Sequence, residues 1–241
     1  MKYLIVILDG FPDRTYSRLK NSTPQDFAKT PGMDMISSNG RMGTVKTIPS
    51  GLPRENLVAT MSILGFDPSM YYAGKGPFIA NNLGIKLNEN DFAFCCDFVS
   101  SFESTILDCH LKKIRDSEAK LLLNEIQKSF KEIEFYYVKD NQNLAIFRNA
   151  DIEPLIKTYD PFLSIGKTYK SYYPEGKGQN ILIQIIEESA KILEEHEINK
   201  VRRDLNENPI NMVWLWSGGK MPLMPSFKDL FNLEAGIITA M

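Results

Sequence analysis

Apolar positions along the chain fall into two kinds of run. The first is continuous: KYLIVILDG (residues 2–10) and NMVWLWSGG (211–219) read as central strands covered on both faces. Such runs are typical of an α/β fold with a parallel sheet. RMGTVKTIP (41–49) alternates like a half-buried strand. FAFCCDFVSSFESTILD (92–108) reads as a hairpin or meander, and IEFYYVKDNQNLAIFRN (133–149) as two strands around the turn KDNQN. The second kind of run repeats with helical spacing. DSEAKLLLNEIQKSF (116–130) is amphipathic with Asp116 as its expected N-cap, and NILIQIIEESAKILEEH (180–196) carries the clearest aliphatic stripe. Shorter helical pieces are expected within 23–40, where Thr23 caps and Pro24 follows, within 50–68, within 76–87 and within 225–241. A short strand over 237–240 is expected to close the order. The predicted organisation is an α/β core from 1–90 and 176–241, interrupted by an α+β module at 91–175.

Composition narrows this only slightly. The chain has 241 residues, enough to bury a proper core, and a formal net charge of −2. No basic excess argues for nucleic acid or an anionic membrane, and no apolar run reaches membrane-spanning length. With no signal-like segment before the first strand, the expected location is cytoplasmic. The three cysteines, Cys95, Cys96 and Cys109, form neither an even disulfide set nor a metal pair, so they are expected to be free thiols. Cys95 and Cys96 should face opposite sides of a strand, whereas Trp214 and Trp216 should share one face and belong to the core.

Candidate chemistry is sparse. Asp9 ends the first predicted strand, where α/β sheets place ligands; it could bind a metal, attack as a nucleophile, or cap a turn. A haloacid-dehalogenase arrangement needs a second acid two residues on, and that position is Phe11. His110, beside Cys109, reads as part of a solvated turn, with a catalytic Cys–His pair at that spacing as the alternative. His196, at the end of a charged helix, reads as a partner for the helix carbonyls. The two GKG triplets (74–76 and 176–178) match no phosphate loop.

The segments YLIVILDGFPDR, TPQDFAKTPGMDMISSNGRMGTVKTIPSGLP, SILGFDPSMYYAGKGP, LGIKL, DFAFCCDFVS, PEGKG, INMVWLWSGG and PSFKDLF are specific and occur in order. Through them, and over nearly all its length, the chain resembles the archaeal-type, cofactor-independent phosphoglycerate mutases of the alkaline phosphatase superfamily. The resemblance implies a partial alkaline-phosphatase-like core, a mostly parallel sheet flanked by helices, with an inserted substrate-type module. It also implies interconversion of 2- and 3-phosphoglycerate by phosphoryl transfer through a serine activated by two divalent ions (Mn, Mg or Zn).

Residue by residue, Asp9 matches the first metal carboxylate of that family and is expected to be a vestigial ligand. The nucleophile belongs to a Pro-Gly-Ser-Asp-x-Ala-Asn pattern; here Arg54, Glu55, Asn56, Leu57, Val58, Ala59 and Thr60 stand in those places. Asn56 has no hydroxyl to accept a phosphoryl group. A Gly-His-Ile segment becomes Lys112, Lys113, Ile114; an Arg becomes Cys95; a Tyr-Arg becomes Asn141, Gln142; and a Pro-His-Asp loop becomes Pro161, Phe162, Leu163. The family continues beyond AGIITAM with further Asp and His ligands, so no bound cofactor is expected for this chain. The expected reading is a truncated mutase-like protein without the family reaction, kept for binding or regulation. The alternative is one half of a metal-dependent phosphotransferase completed by a second chain. Either a homo-oligomer or such a partner chain would cover the sheet; a phosphorylated small molecule is a further candidate ligand.

Overall fold

The computed structural model describes residues 2–8, 10–11, 13–111 and 114–238. It divides into two compact units, Met1–Lys46 and Thr47–Met241.

In the first unit, Thr23 opens α1 (Pro24–Phe27) through a reciprocal cap with Asp26, as its sequence signals. α2 (Pro31–Asn39) follows. The predicted strands over 2–10 and 41–49 do not form among the described residues. Residues 3–8 are 49–88% exposed and pair with no described strand. An apolar run becomes a strand only where a neighbour accepts its backbone hydrogen bonds, and no described residue of this unit does so for residues 3–8.

The second unit begins with short helices: α3 (Asn56–Ile63), α4 (Pro68–Tyr71) and α5 (Gly76–Asn82). β1 (Phe92–Phe102) and β2 (Thr105–Asp108) make a hairpin. α6 (Asp116–Ser129) precedes the hairpin of β3 (Ile133–Lys139) and β4 (Gln142–Phe147). α7 (Gln179–Glu194), α8 (Glu197–Asp204), β5 (Met212–Gly219) and α9 (Phe227–Phe231) complete the order. Asp116 is the first residue of α6 rather than its cap; Arg115 holds the cap position and its backbone N–H donates to Glu118 at 3.1 Å.

β1 is the hub of the sheet, pairing with β2, β4 and β5. Every one of these pairings is antiparallel, which corrects the expectation of a mostly parallel sheet. The continuous apolar runs arise because both faces are covered, and coverage does not require parallel strands. Phe92, Phe94, Cys96 and Phe98 point to one face, where Leu122 and Ile126 of α6 and Leu182 and Ile185 of α7 pack on them. Cys95 and Val99 point to the other, with Trp214, Trp216 and Tyr169. The opposed cysteines and the shared face of the tryptophans follow the period-two rule. The expected strand over 237–240 falls partly outside the described residues; Ile237 and Ile238 lie in no strand and are exposed.

Candidate functional site

Asn56 is the first residue of α3, and Glu55 occupies the cap position before it. The Glu55 side chain turns inward, with only 12% of it exposed. It meets the end of β5, where the strand carries an extra residue. Ala93 pairs with Gly219 but Cys95 pairs with Trp216, so β5 bulges at Ser217–Gly218. Ser217 has φ +44, a left-handed backbone that a non-glycine residue adopts at some cost. Gly218 is required there, because a Cβ would sit 2.0 Å from the Phe94 ring.

The bulge overrides strand alternation. Trp216 and Ser217 would normally face opposite sides, yet both reach Lys75. The Ser217 Oγ accepts from the Lys75 backbone N–H at 3.0 Å, while the Lys75 ammonium lies 4.4 Å from the Trp216 ring. Ser217 Oγ also lies 3.4 Å from each Glu55 carboxylate oxygen and 3.4 Å from the Tyr72 hydroxyl. Lys75 Nζ is 3.7 Å from Glu55 Oε2. The Ser217 N–H donates to Thr158 Oγ1 at 2.9 Å. Behind this group, Trp216 Nε1 donates to Asp97 Oδ2 at 2.9 Å. Burial pushes the Asp97 carboxyl up to about 7, against the opposing pull of that indole hydrogen bond. Burial likewise raises the Tyr72 hydroxyl, which stays protonated and able to donate.

The structure brings some sequence candidates to this place and leaves others elsewhere. Asn56 and the first GKG triplet lie here. The second triplet opens α7 instead, with Lys177 paired to Asp151. Asn141, aligned with a family polar position, lies in the turn between β3 and β4, where its Nδ2 donates to the Cys109 carbonyl at 2.7 Å. Gln142 begins β4, and Phe162 stacks edge-on against His110 at 4.3 Å. Cys95 and Cys96 are buried thiols pushed well above the usual range by desolvation, and burial raises Cys109 too. In each the shift runs against thiolate formation. The His196 backbone N–H donates to the Leu193 carbonyl of α7, but its side chain serves the helix that follows. Its Nδ1 accepts from the Ile198 N–H at 3.2 Å, capping α8 instead. Sequence reasoning missed Ser217 and Glu55; the available signal was a serine followed by two glycines inside a strand pattern, which marks a bulge.

Asp9, the expected metal ligand, lies outside the described residues, as do Lys112 and Lys113. A surface cleft in the first unit is lined by Leu8, Gly10, Phe11 and Asp13, among others. The Asp13 carboxylate is occupied by the Arg14 N–H at 2.7 Å and the Tyr16 hydroxyl at 3.1 Å. Among the described residues no three His, Cys, Asp or Glu side chains are placed to hold an ion.

Residues 37–199 match the family described as 2,3-bisphosphoglycerate-independent phosphoglycerate mutase. A curated mutase of that description from Methanosarcina barkeri is 34% identical over 242 residues; the match covers all of this chain and 61% of the relative. A cofactor-independent phosphoglycerate mutase structure from Thermoplasma acidophilum superposes with a TM-score of 0.55 at 27% identity, over 92% of this chain and 60% of that one. A Pyrococcus horikoshii structure gives 0.65 at 25% identity, over 94% and 53%. This chain belongs to the 2,3-bisphosphoglycerate-independent phosphoglycerate mutase family.

Proposed function

We propose that this chain is a mutase-like protein that does not itself interconvert 2- and 3-phosphoglycerate, and that it serves as a binding or regulatory member of the family. The observation that carries this is Asn56 at the head of α3. By its resemblance to the family pattern, this is where the phosphoryl-accepting serine belongs, and an amide cannot form that ester. The neighbouring Glu55 supports the reading, since its carboxylate fills the space where the family pattern has a glycine. The test is direct: the purified chain is incubated with 3-phosphoglycerate and Mg²⁺ or Mn²⁺, and 2-phosphoglycerate is measured. No interconversion above the protein-free control is expected; turnover would overturn the proposal.

A second reading is favoured by the exposed apolar run at residues 3–8. In it the chain is one part of a metal-dependent phosphotransferase, and the covering surface comes from the remaining family length or from another copy. Sedimentation and co-purification with the C-terminal portion of the Methanosarcina relative would test it. A monomer that binds no such portion would count against it.

A further inference from the structure

A strand at the edge of a sheet presents unpaired N–H and C=O groups to which another chain can add a strand. β3 is such a strand: among the described strands it pairs with β4 alone. Its sequence, IEFYYVK, is rich in β-branched and aromatic residues and has no proline or glycine to discourage pairing. Every second residue of an antiparallel strand turns its backbone groups away from its partner. In β3 these include Ile133 and Phe135, whose groups reach α6 instead of β4.

Gln127, near the end of α6, fills that edge. Its Oε1 accepts from the Phe135 N–H at 3.0 Å, and its Nε2 donates to the Ile133 carbonyl at 2.7 Å and the Phe130 carbonyl at 2.9 Å. A planar amide that accepts and donates side by side offers what the peptide groups of a neighbouring strand would offer. Glutamate has no donor for Ile133, and lysine has no acceptor for Phe135. The outer side of β5 is treated in the same way. β5 pairs with β1 alone, and its Val213 and Ser217 N–H groups donate to Ser189 Oγ at 3.1 Å and to Thr158 Oγ1 at 2.9 Å. Side chains stand where a further strand would lie.

We infer that Gln127 is an autoinhibitory contact: it closes β3 against strand addition, and the partner it excludes is β3 of a second copy of this chain. The strand carries its own complement. Laid antiparallel with Tyr136 at the centre, Phe135 of each copy meets Tyr137 of the other. The Phe135 N–H that this ladder requires is the one Gln127 holds. Tyr136 then faces Tyr136 in a non-hydrogen-bonded pair, an aromatic contact of the kind that stabilises sheets. The contact depends neither on the loss of the nucleophile at Asn56 nor on the exposed run at 3–8, so it can fail separately from both readings of the function.

The experiment places a reporter thiol by Tyr136→Cys in a chain that keeps Gln127 and in a second that also carries Gln127→Leu. Opposed residues of a non-hydrogen-bonded pair stand about 4.5 Å apart at Cα, within disulfide range. The native thiols Cys95, Cys96 and Cys109 are buried. Both chains are oxidised with diamide over a range of protein concentrations, and covalent dimer is measured on non-reducing gels. The chain with Gln127→Leu should give about tenfold more dimer than its parent, because each copy gains two backbone groups free to pair. Gln127→Leu with native Tyr136 should dimerise reversibly in sedimentation and form no covalent dimer. Equal covalent yields with and without Gln127 overturn the inference. Association of Gln127→Leu in sedimentation without crosslinking through position 136 also overturns it, since the contact then lies elsewhere. If Gln127→Leu does not fold, Gln127→Glu takes its place, keeping the length and the acceptor while losing the donor to Ile133. A covalent yield above the parent's is expected there too; an equal yield overturns the inference.

Discussion

Asp97 lies on the face of β1 that carries Cys95 and Val99, with its carboxylate against the Trp216 indole. Burial raises its pKa to about 7, and Asp160 nearby adds to the rise while Lys75 opposes it. An unfolded aspartate releases its proton near pH 4, so between about 4 and 7 the folded chain holds more protons than the unfolded one. Stability from this group is complete below about pH 4 and is lost as pH rises through 7, at up to about 1.4 kcal/mol per unit. Urea midpoints measured from pH 5 to 8 should show that slope, and Asp97→Asn should flatten it. An unchanged slope in the variant would place the titration elsewhere. At this scale the sequence made Asn56 legible, because a missing hydroxyl is a property of one residue. Ser217 and Glu55 were not legible, because their meeting depends on a bulge that joins positions 162 apart in the chain.

Elements are held in place by a few polar groups as much as by the apolar layers. Arg148, just after β4, donates to Asp91 at 2.8 Å from Nη1 and to Glu134 of β3 at 2.8 Å from Nε. Asp91 is 2% exposed. Burial alone would raise its carboxyl, but the Asn88 and Asn149 N–H groups and the Arg148 guanidinium outweigh this and hold it below the ordinary range. Arg148→Met should cost about 1–3 kcal/mol near neutral pH, discounted from a fully buried pair because a third of the arginine side chain meets solvent. The cost should shrink in acid as Asp91 protonates, which urea denaturation at pH 3 and pH 7 would resolve. Gly76→Ala offers a contrast of sign. Helix propensity favours alanine by about 1 kcal/mol. The 2.1 Å approach to the Ala93 carbonyl should outweigh that, for a net loss of about 1–2 kcal/mol after the clash of overpacking. A stabilised variant would show that α5 moves freely off β1. The strands over 92–108, 133–149 and 211–219 and the helices over 116–130 and 180–196 were all visible in the apolar pattern. Strand direction was not, since a run buried on both faces looks the same whichever way its neighbour travels.

Across the whole molecule, order is concentrated where β1 gathers its three partners. Amide exchange should be slowest in β1 and β4, which pair with a strand on each edge and whose side chains are mostly buried. Residues 3–8 should exchange at nearly unprotected rates, because they make no strand pairing with another described residue. Protection there in the isolated chain would mean that this segment has found a strand partner. The first unit was the least legible part of the sequence for the same reason: KYLIVILDG has every local property of a strand, and what decides its state lies outside the segment.

That segment also sets how the chain behaves in a concentrated solution. YLIVIL has no charge, no proline and no glycine, and combines high strand propensity with exposure. Left uncovered, it is a template for stacking with identical segments of other molecules. Turbidity on concentration should rise steeply for the wild type. One lysine in the middle of the run, Ile5→Lys, should suppress it without touching the sheet of the second unit.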